Sequence, residues 1–350
     1  MNERYSKRVI LSQEILQKIA KIDEFKGLWK GNVRLSPQVL GRLKRSVLIT
    51  STGASTRIEG SKMSDEEVAR LIQGLKSTPP KGRDAQEVAG YADLLGRIFD
   101  TWQTLTITEG QILHFHKILL NFSEKDKGHK GAYKTTDNKV VMRKEDGTEV
   151  VIFEPTKPYL TKKEMDDVLF WLNDEMNRKE THPLVLIANF IFEFLAIHPF
   201  TDGNGRLSRA LTTLLLLKTG YTYVPYVSLD EIIEEKKIAY YLALRKTQSD
   251  HKTEKEDISP WLNFLLDALV EQVRRAEEIM ENDQPEKVLS EKQLAVYQLF
   301  RSDALSVSEI STMLKGAIPM VTLKQALSRL VDLRLIERIG SGRGTRYRKL

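Results

Sequence analysis

The chain has 350 residues, of which 41% are hydrophobic and 29% charged, an ordinary composition for a globular protein that excludes an intrinsically disordered one. It has no cysteine, so disulfides, thiolate catalysis and cysteine-ligated zinc are excluded. The net charge of +6 permits an anionic partner such as ATP or a nucleic acid without requiring one.

The chain shows no signal for a membrane segment. Its N-terminus, MNERYSKRVI, is polar and charged, unlike a secretory signal. The longest apolar run, residues 183–197, is shorter than a membrane span and contains Asn189 and Glu193, so it predicts a buried helix. We expect a cytoplasmic protein.

Helix signals dominate the sequence. Capping boxes, in which Ser or Thr is followed three residues later by Glu or Gln, mark helix starts. They occur at Ser64/Glu67, Thr106/Glu109, Thr161/Glu164, Ser290/Gln293 and Ser306/Glu309. Each precedes apolar residues at helical spacing, which predicts a mostly α fold.

Residues 138–155 break the helical pattern. Two β-branched runs there are separated by Lys-Glu-Asp-Gly-Thr, and an Asp-Gly between apolar runs predicts a β-hairpin. Because a lone hairpin is only marginally stable, we expect it to lie against the helical body or to present an edge to a partner.

The twelve residues after the apolar run, HPFTDGNGRLSR (198–209), carry the most chemistry. The stretch from Gly203 to Gly205 permits a turn whose successive N–H groups form an anion nest. A leucine stripe at helical spacing predicts that a helix begins at this turn, and a helix N-terminus favours phosphate. The stripe consists of Leu207, Ala210, Leu211, Leu214 and Leu215.

Four side chains around the turn fit the same chemistry. Arg206 and Arg209 are three residues apart on one helix face and suit further phosphates. Asp202 offers the hard oxygen ligand that Mg²⁺ prefers. His198 has the side chain whose ordinary pKa suits a general base near neutrality.

The same twelve residues match every position of the signature H-x-F-x-[DE]-G-N-G-R-x-x-R, so the chain resembles the Fic family. The resemblance implies transfer of AMP from ATP, with Mg²⁺, to a Ser, Thr or Tyr hydroxyl of a target protein or of the chain itself. It implies that His198 is the base and Asp202 the metal ligand. The phosphate-binding residues would be Gly203, Asn204, Gly205, Arg206, Leu207, Ser208 and Arg209.

A second motif resembles the inhibitory helix of many Fic proteins. Ser55 to Gly60, STRIEG, fits the pattern [ST]-x-x-x-E-[GN]. The resemblance implies that Glu59 pairs with Arg209 and occupies the charge that would otherwise bind the γ-phosphate. Gly60 suits a helix C-terminus.

Two further segments resemble parts of the family's binding machinery. The hairpin at 138–155 corresponds to the flap that pairs with an extended target segment, with Val140, Val141 and Met142 as the contact strand. The stretch AYYLAL (239–244) resembles the adenine-packing segment, so Tyr240 and Tyr241 are candidate base contacts. The Asn that relatives often carry a few residues later has no clear match, and Gln248 is the nearest residue.

The C-terminal part resembles a winged helix-turn-helix domain. Helical stretches near 291–301, 306–315 and 321–334 lead into LIERIGSGRGTRYRKL (335–350), where three glycines separate two strand-like pieces. From residue 334 to residue 350 there are six basic residues and one acidic residue, Glu337. This excess of positive charge suits binding to a phosphate backbone, although winged units also dock proteins or dimerise. The six basic residues are Arg334, Arg338, Arg343, Arg346, Arg348 and Lys349.

These signals predict four segments: an N-terminal helical region (1–89) with the inhibitory motif, a Fic core (90–280), a linker (281–289) and a winged helix (290–350). The resemblance also permits a homodimer. One alternative is a transcriptional regulator that senses a nucleotide without transferring it. Another keeps the fold but transfers phosphocholine or a phosphoryl group, and the intact Gly203-Asn204-Gly205 favours AMP.

Overall fold

The computed structural model describes residues 3–32, 35, 37–75, 78–138, 140–143, 149–282, 289–300, 303–332, 335–340 and 342–349. The chain divides into two compact units. Unit 1 comprises residues 1–32 and 44–274, and unit 2 comprises residues 33–43 and 275–350.

Helices account for most of the described chain, which confirms the expected mostly α class. The helices are α1 (Glu3–Lys7), α2 (Gln13–Asn32), α3 (Pro37–Ile58), α4 (Asp65–Gly74), α5 (Arg83–Thr101), α6 (Glu109–Leu119), α7 (Pro158–Arg178), α8 (Pro183–Ile197), α9 (Asn204–Lys218), α10 (Leu229–Glu235), α11 (Lys237–Gln248), α12 (Ser259–Asn282), α13 (Glu291–Tyr297), α14 (Val307–Met313) and α15 (Met320–Asp332). Single 3₁₀ turns lie at Val224–Tyr226 and Gly342–Gly344.

The core of unit 1 is built around α8 and α9. Every residue of α8 from Leu184 to Ile197 is buried, because the segment is apolar on all sides and packs between α7 and α9. The predicted leucine stripe of α9 is fully buried. Among the described helices, α8 included, none combines the length and apolarity needed to cross a membrane.

The predicted hairpin is present as two antiparallel strands, β1 (Val140–Arg143) and β2 (Glu149–Phe153). Val141 pairs with Val151 and Arg143 with Glu149. The Lys-Glu-Asp-Gly-Thr turn between the strands lies outside the described residues, as do the side chains of the proposed contact strand.

Three of the five predicted capping boxes are confirmed: Ser64/Glu67, Ser290/Gln293 and Ser306/Glu309 all show both reciprocal bonds. The other two predictions are wrong. Helix α6 starts from Thr108, whose side chain accepts from the Gln111 N–H, instead of from Thr106. Helix α7 starts earlier than predicted, at Pro158, because proline suits the first helical position. Thr161 therefore lies in its first turn and donates to Lys157 O.

In unit 2, helices α13, α14 and α15 surround an apolar core that includes Val296, Ile310, Leu323 and Ile336. Three short antiparallel strands accompany them in the order β3-β5-β4. They are β3 (Leu305–Ser306), β4 (Ile336–Ile339) and β5 (Arg346–Lys349). The middle of the predicted linker, 283–288, lies outside the described residues.

Candidate active site

The candidate site is the loop that joins α8 to α9. Its two ends have left-handed backbone conformations: His198 (φ +51) ends α8, and Gly203 (φ +82) is the N-cap of α9. A pocket of about 790 Å³ opens on this loop. Its lining includes His198, Asp202, Gly203, Asn204, Gly205 and Arg206 from the loop and α9, Glu59 from the end of α3, and Tyr240, Tyr241 and Gln248 from α11.

The half-buried imidazole of His198 is held in one orientation. Its backbone N–H donates to Phe194 O at 2.9 Å, and its Nδ1 lies 3.3 Å from Leu195 O. Since a carbonyl oxygen only accepts, Nδ1 carries the proton of the neutral ring and Nε2 is left as the acceptor. Burial lowers the pKa of His198 to about 4. The ring is therefore neutral near pH 7 and able to take up a proton.

Two amide side chains fix the loop from inside. Both polar atoms of the Asn204 side chain bond to Phe200: Oδ1 accepts from its N–H at 2.9 Å, and Nδ2 donates to its carbonyl at 2.7 Å. Asn138 donates to the carbonyls of His198 and Phe200 at 3.3 and 3.0 Å. Asn204 therefore contributes its backbone to the pocket and uses its side chain to shape the loop.

The flap base is tied to the same loop through Lys134. Its N–H donates to Pro199 O at 2.9 Å, and its Nζ donates to Ile197 O and Asn138 Oδ1 at 3.0 and 2.8 Å. Burial lowers the pKa of Lys134 to about 8. The lysine thus connects the chain before β1 to the loop that carries the imidazole.

A second buried histidine, His116 on α6, supports the loop from behind. Its Nδ1 accepts from the Gly131 N–H at 2.9 Å and its Nε2 lies 3.0 Å from Asp202 O, so Nε2 carries the proton. Its ring stacks on Phe200 with centroids 3.8 Å apart. Burial lowers the pKa of His116 to about 4, so this ring is also neutral near pH 7.

Asp202 and Arg206 form a charged pair at the pocket wall. Arg206 Nη2 donates to Asp202 Oδ1 at 2.8 Å, and Arg206 Nη1 lies 3.3 Å from Glu87 Oε2. Burial tends to raise the pKa of Asp202, but Arg206 and the Gly203 N–H outweigh it and leave that pKa lowered. Asp202 is therefore ionised near neutrality, with its carboxylate partly exposed to the pocket.

Arg209 is buried and is held by the end of α3. It donates from Nε to Ser55 Oγ at 2.7 Å, and from Nη2 to Ser55 O at 2.8 Å and to Glu59 Oε1 at 2.9 Å. Asp230 lies 3.5 Å from Nε. Burial opposes the charge, but Glu59 outweighs it and raises the pKa of Arg209 above its usual range.

Glu59 also lies directly against the turn. A Cβ added at Gly205 would be 2.2 Å from Glu59 Oε1 and 3.3 Å from Arg209 Nη1. The carboxylate therefore occupies the space in front of the first turn of α9, between this glycine and the buried guanidinium.

The two tyrosines of α11 differ in exposure. Tyr240 is buried, with its ring packed edge-on against Trp261 and Phe264. Tyr241 is 40% exposed, and its hydroxyl lies 3.5 Å from Ile58 O. Both tyrosines line the pocket, as does Gln248.

The hydrogen-bond donors around the pocket fit a polyphosphate. Two buried guanidinium nitrogens, Arg206 Nε and Arg209 Nη1, have no hydrogen-bond acceptor among the described residues, and Arg206 Nη1 has only the ion-pair contact with Glu87 Oε2 at 3.3 Å. Buried N–H groups normally have an acceptor, and bidentate arginines suit phosphate oxygens. A carboxylate beside such a site also fits Mg²⁺, which binds through one or two carboxylates plus substrate phosphates.

A second acidic cluster is a poor metal site. Glu193, His251 and Glu256 place potential ligand atoms within 4.8 Å of one another. However, Arg8 Nη1 already lies 2.6 Å from Glu193 and 2.8 Å from Glu256. Arg4 also pairs with both carboxylates. The two guanidinium groups neutralise the carboxylates, so this cluster is a buried ion-pair network.

The structure brings together most of the residues that the sequence singled out. His198, Asp202, the 203–205 turn and Arg206 line one pocket, while Arg209 lies behind Glu59. Two members of the predicted phosphate set are engaged inside the protein: Leu207 is fully buried, and the Ser208 hydroxyl donates to Gly205 O at 2.7 Å. These two can offer only backbone groups.

Sequence reasoning missed several supporting residues. They are Glu87, His116, Lys134, Asn138 and Asp230, which all contact site residues or the loop. Apart from their polar character, no signal distinguishes them, because each lies far from the motif along the chain.

Comparison with known families places the same segment in a known domain. Residues 106–216 match the model of the Fic/DOC family. The protein adenylyltransferase fic-1 of Caenorhabditis elegans is 26% identical over 235 residues, covering 65% of this chain and 40% of the relative. The protein adenylyltransferase Fic of Drosophila grimshawi is 27% identical over 230 residues, covering 65% and 42%. The chain thus spans about two fifths of the length of these relatives.

Solved structures show the same fold. A Fic family protein from Desulfovibrio desulfuricans G20 superposes with a TM-score of 0.64 and 26% identity over 97% of both chains. A Fic-1 fragment from C. elegans has a TM-score of 0.61 and 20% identity, over 77% of this chain and 73% of the fragment, and shows likeness of fold alone. Pocket, signature and comparisons agree, and the chain contains a domain of the Fic/DOC family.

Proposed function

We propose that this protein transfers AMP from ATP to a hydroxyl group of a target protein. One observation carries the proposal: a neutral imidazole, an ionised carboxylate and the N-terminus of a helix line a single pocket, at His198, Asp202 and Gly203–Gly205. This arrangement supplies a base, a metal ligand and a phosphate cradle within one site. The relatives named protein adenylyltransferases support the reaction class.

In the proposed reaction, the target hydroxyl oxygen attacks the α-phosphorus of ATP. A new P–O bond forms to the target while the bond to the pyrophosphate oxygen breaks, and pyrophosphate leaves. The hydroxyl proton passes to Nε2 of His198, the unprotonated nitrogen of the ring. As in phosphoryl transfer generally, positioning and electrostatics supply most of the acceleration.

Asp202 would hold Mg²⁺ through its carboxylate. When bound, the ion would neutralise charge on the phosphates and on the leaving pyrophosphate. Arg206 fixes the carboxylate through the 2.8 Å bond to Oδ1. Arg206 also keeps the pKa of Asp202 low, so the ligand stays deprotonated.

The first turn of α9 would bind the phosphates around the attacked phosphorus. Its backbone N–H groups lack intrahelical partners, and the helix dipole is positive there. The buried guanidinium groups of Arg206 and Arg209 would bind the β- and γ-phosphates with the N–H groups that have no acceptor among the described residues. Tyr240 and Tyr241 are the candidate adenine contacts, because both line the pocket.

We infer that Glu59 inhibits the reaction while its carboxylate is bound to Arg209. Its carboxylate accepts from Arg209 at 2.9 Å, beside the turn at Gly205. A γ-phosphate bound to Arg209 would meet this carboxylate, and two anions in a poorly solvated site repel strongly. ATP would therefore bind productively only after Glu59 moves away.

The target segment would pair with the flap. Within the described sheet β1 pairs with β2 alone, so its second edge can accept an extended strand across Val140, Val141 and Met142. Lys134 and Asn138 connect the chain before β1 to the carbonyls around His198. Strand pairing would thus bring a target hydroxyl towards the imidazole.

The proposed reaction is tested by following label from α-³²P-ATP and γ-³²P-ATP onto protein, with the wild type, Glu59→Gly and Glu59→Gly/His198→Ala. We expect α label with Glu59→Gly, none with the double variant, and no γ label in any sample. Unchanged melting temperatures would show that the variants remain folded.

Other outcomes would contradict the proposal. Transfer of γ label would identify a kinase, and full α labelling by the double variant would exclude His198 as the base. Absence of all label, together with retention of duplex DNA, would favour a regulator that does not transfer AMP.

A further inference from the structure

The net positive charge of this chain lies in its C-terminal residues. Residues 290–350 contain eleven Lys and Arg against five Asp and Glu, an excess of six that equals the net charge of the whole chain. The other residues taken together are therefore neutral. A positive charge confined to one compact region indicates an anionic partner for that region in particular.

We propose that the helices and strands of residues 289–349 form a winged helix that binds duplex DNA through α15 and the β4–β5 pair. The order of elements in the described part is helix, short strand, two helices and two antiparallel strands. β4 packs against α15, and both contribute to one apolar core. The inference is independent of AMP transfer, because it concerns a different unit of the chain.

Helix α15 is amphipathic in the way expected of a helix that enters a DNA groove. One face is buried in the core through Leu323, Ala326, Leu327 and Leu330. The opposite face exposes Lys324, Gln325, Ser328 and Arg329. These side-chain types can hydrogen-bond to base edges or phosphates.

The two cations on this face are available to DNA. Neither Lys324 nor Arg329 has an ion-pair partner among the described residues, and α15 carries no acidic residue before Asp332 at its end. The dipole of the helix adds positive potential at the end where Met320 and Val321 are exposed. An apolar side chain such as Val321 suits contact with a thymine methyl group.

The strands supply further positive charge. Arg346 and Arg348 are both exposed and alternate with Tyr347, so they share one face of the sheet. They pair with Glu309 and Glu337. Exposed ion pairs contribute little to stability, so phosphate can replace these carboxylates at small cost. Arg334 lies outside the described residues, as does the side chain of Arg343.

The turn between β4 and β5 permits close approach to a phosphate backbone. Gly340 and Gly342 have positive φ angles of 76° and 61°. A Cβ added at Gly342 or at Gly344 would meet nothing within 4 Å. The turn is thus open at these two glycines, as a wing that lies along a phosphate backbone requires.

The experiment measures binding of the full chain to a fluorescein-labelled random-sequence 25-base-pair DNA, by anisotropy, in about 50 and 200 mM KCl. If four cations contact phosphate, the affinity should fall about 100-fold between these concentrations. Lys324→Glu/Arg329→Glu should weaken binding at least ten-fold. The matched control, Lys81→Glu/Lys163→Glu, reverses two exposed charges in unit 1 and should change the affinity for DNA less than two-fold.

Four results would overturn the proposal. The first is no binding at the lower salt concentration, and the second is equal binding by the α15 variant and the control variant when both melt like the wild type. The third is tighter binding to duplex RNA of the same sequence, because the deep, narrow major groove of RNA excludes a helix. A protein interface would instead appear as a change of oligomeric state in Val321→Asp with DNA affinity unchanged, which also contradicts it. None of these readouts depends on AMP transfer.

Discussion

Arg209 and Glu59 come from helices far apart in the sequence and meet 2.9 Å apart at the turn that begins α9. The same guanidinium is also held by Ser55 and lies 3.5 Å from the buried Asp230. Removal of Glu59 therefore leaves Arg209 with other acceptors, so the protein should stay folded while the space in front of the turn becomes open to phosphate.

Replacement of Glu59 should raise the rate of AMP transfer. Glu59→Gln removes the charge and keeps the shape, and Glu59→Gly removes both. Because a hydrogen bond to a charged group contributes about 1.5–3 kcal/mol, we expect the labelling rate from α-³²P-ATP to rise about ten- to hundred-fold in both variants. The exposed Glu66→Gln serves as a matched control with an unchanged rate. Wild-type rates in both Glu59 variants would refute inhibition by this carboxylate.

Gly205→Ala should impair transfer even when Glu59 is absent. The added Cβ would lie 3.3 Å from Arg209 Nη1, in front of a guanidinium nitrogen that has no acceptor among the described residues. In the Glu59→Gly background we expect the rate to fall on the order of ten-fold, because small displacements of a reacting group are costly. If this glycine served only to make room for Glu59, Gly205→Ala/Glu59→Gly would label as fast as Glu59→Gly alone.

Activity should persist at mildly acidic pH. Burial lowers the pKa of His198 to about 4, so the ring remains unprotonated as the pH falls from 7.5 to 5.5. The pKa of Asp202 is lowered as well, which keeps the metal ligand ionised over this range. For Glu59→Gly, kcat/KM should therefore lose less than half its value across the range. An acid limb with a midpoint near 6.5 would mean that the imidazole has an ordinary pKa.

His116 should make the protein less stable in acid. Its pKa is about 4 in the folded state against 6.5 ordinarily, so protons favour the unfolded chain as the pH falls from 6.5 towards 4. This loss reaches about 3 kcal/mol for a group that is fully buried. His116→Gln should lower the unfolding free energy by about 1–3 kcal/mol at pH 7.5, because the buried hydrogen bonds of the ring are lost. The same variant should make the unfolding free energy less dependent on pH. Urea titrations at pH 7.5 and 5.0 measure both quantities. An equally steep pH dependence in His116→Gln would assign the loss to other groups.

Much of the local structure was predictable. The apolar run 183–197 is helix α8 residue for residue, because its composition forces burial and Pro183 suits the first turn. The strand pair fell within the predicted 138–155. Two capping predictions failed. Thr106 lies two residues before the observed N-cap, Thr108, and Thr161 lies in the first turn of α7, so the Thr-x-x-Glu pattern alone does not fix where a helix starts.

The supporting residues of the site were not predictable. His116 meets Asp202 across 86 positions of sequence, and Arg206 meets Glu87 through the packing of α5 on α9. Each partner lies on an ordinary amphipathic helix whose polar residues look like solvent-facing ones. Only the arrangement of helices shows which of them turn inward to the loop.

The sequence by itself determined the base, the carboxylate, the phosphate-binding turn and the two arginines, and their order, because these lie within twelve consecutive residues whose turn and helix follow from local preferences. It also determined that all the excess positive charge lies in residues 290–350. Tertiary structure decided the pKa of His198, the tautomer of His116 and the neighbours of Arg209. These depend on burial and on groups from other helices, and neither is encoded by residues adjacent in the chain.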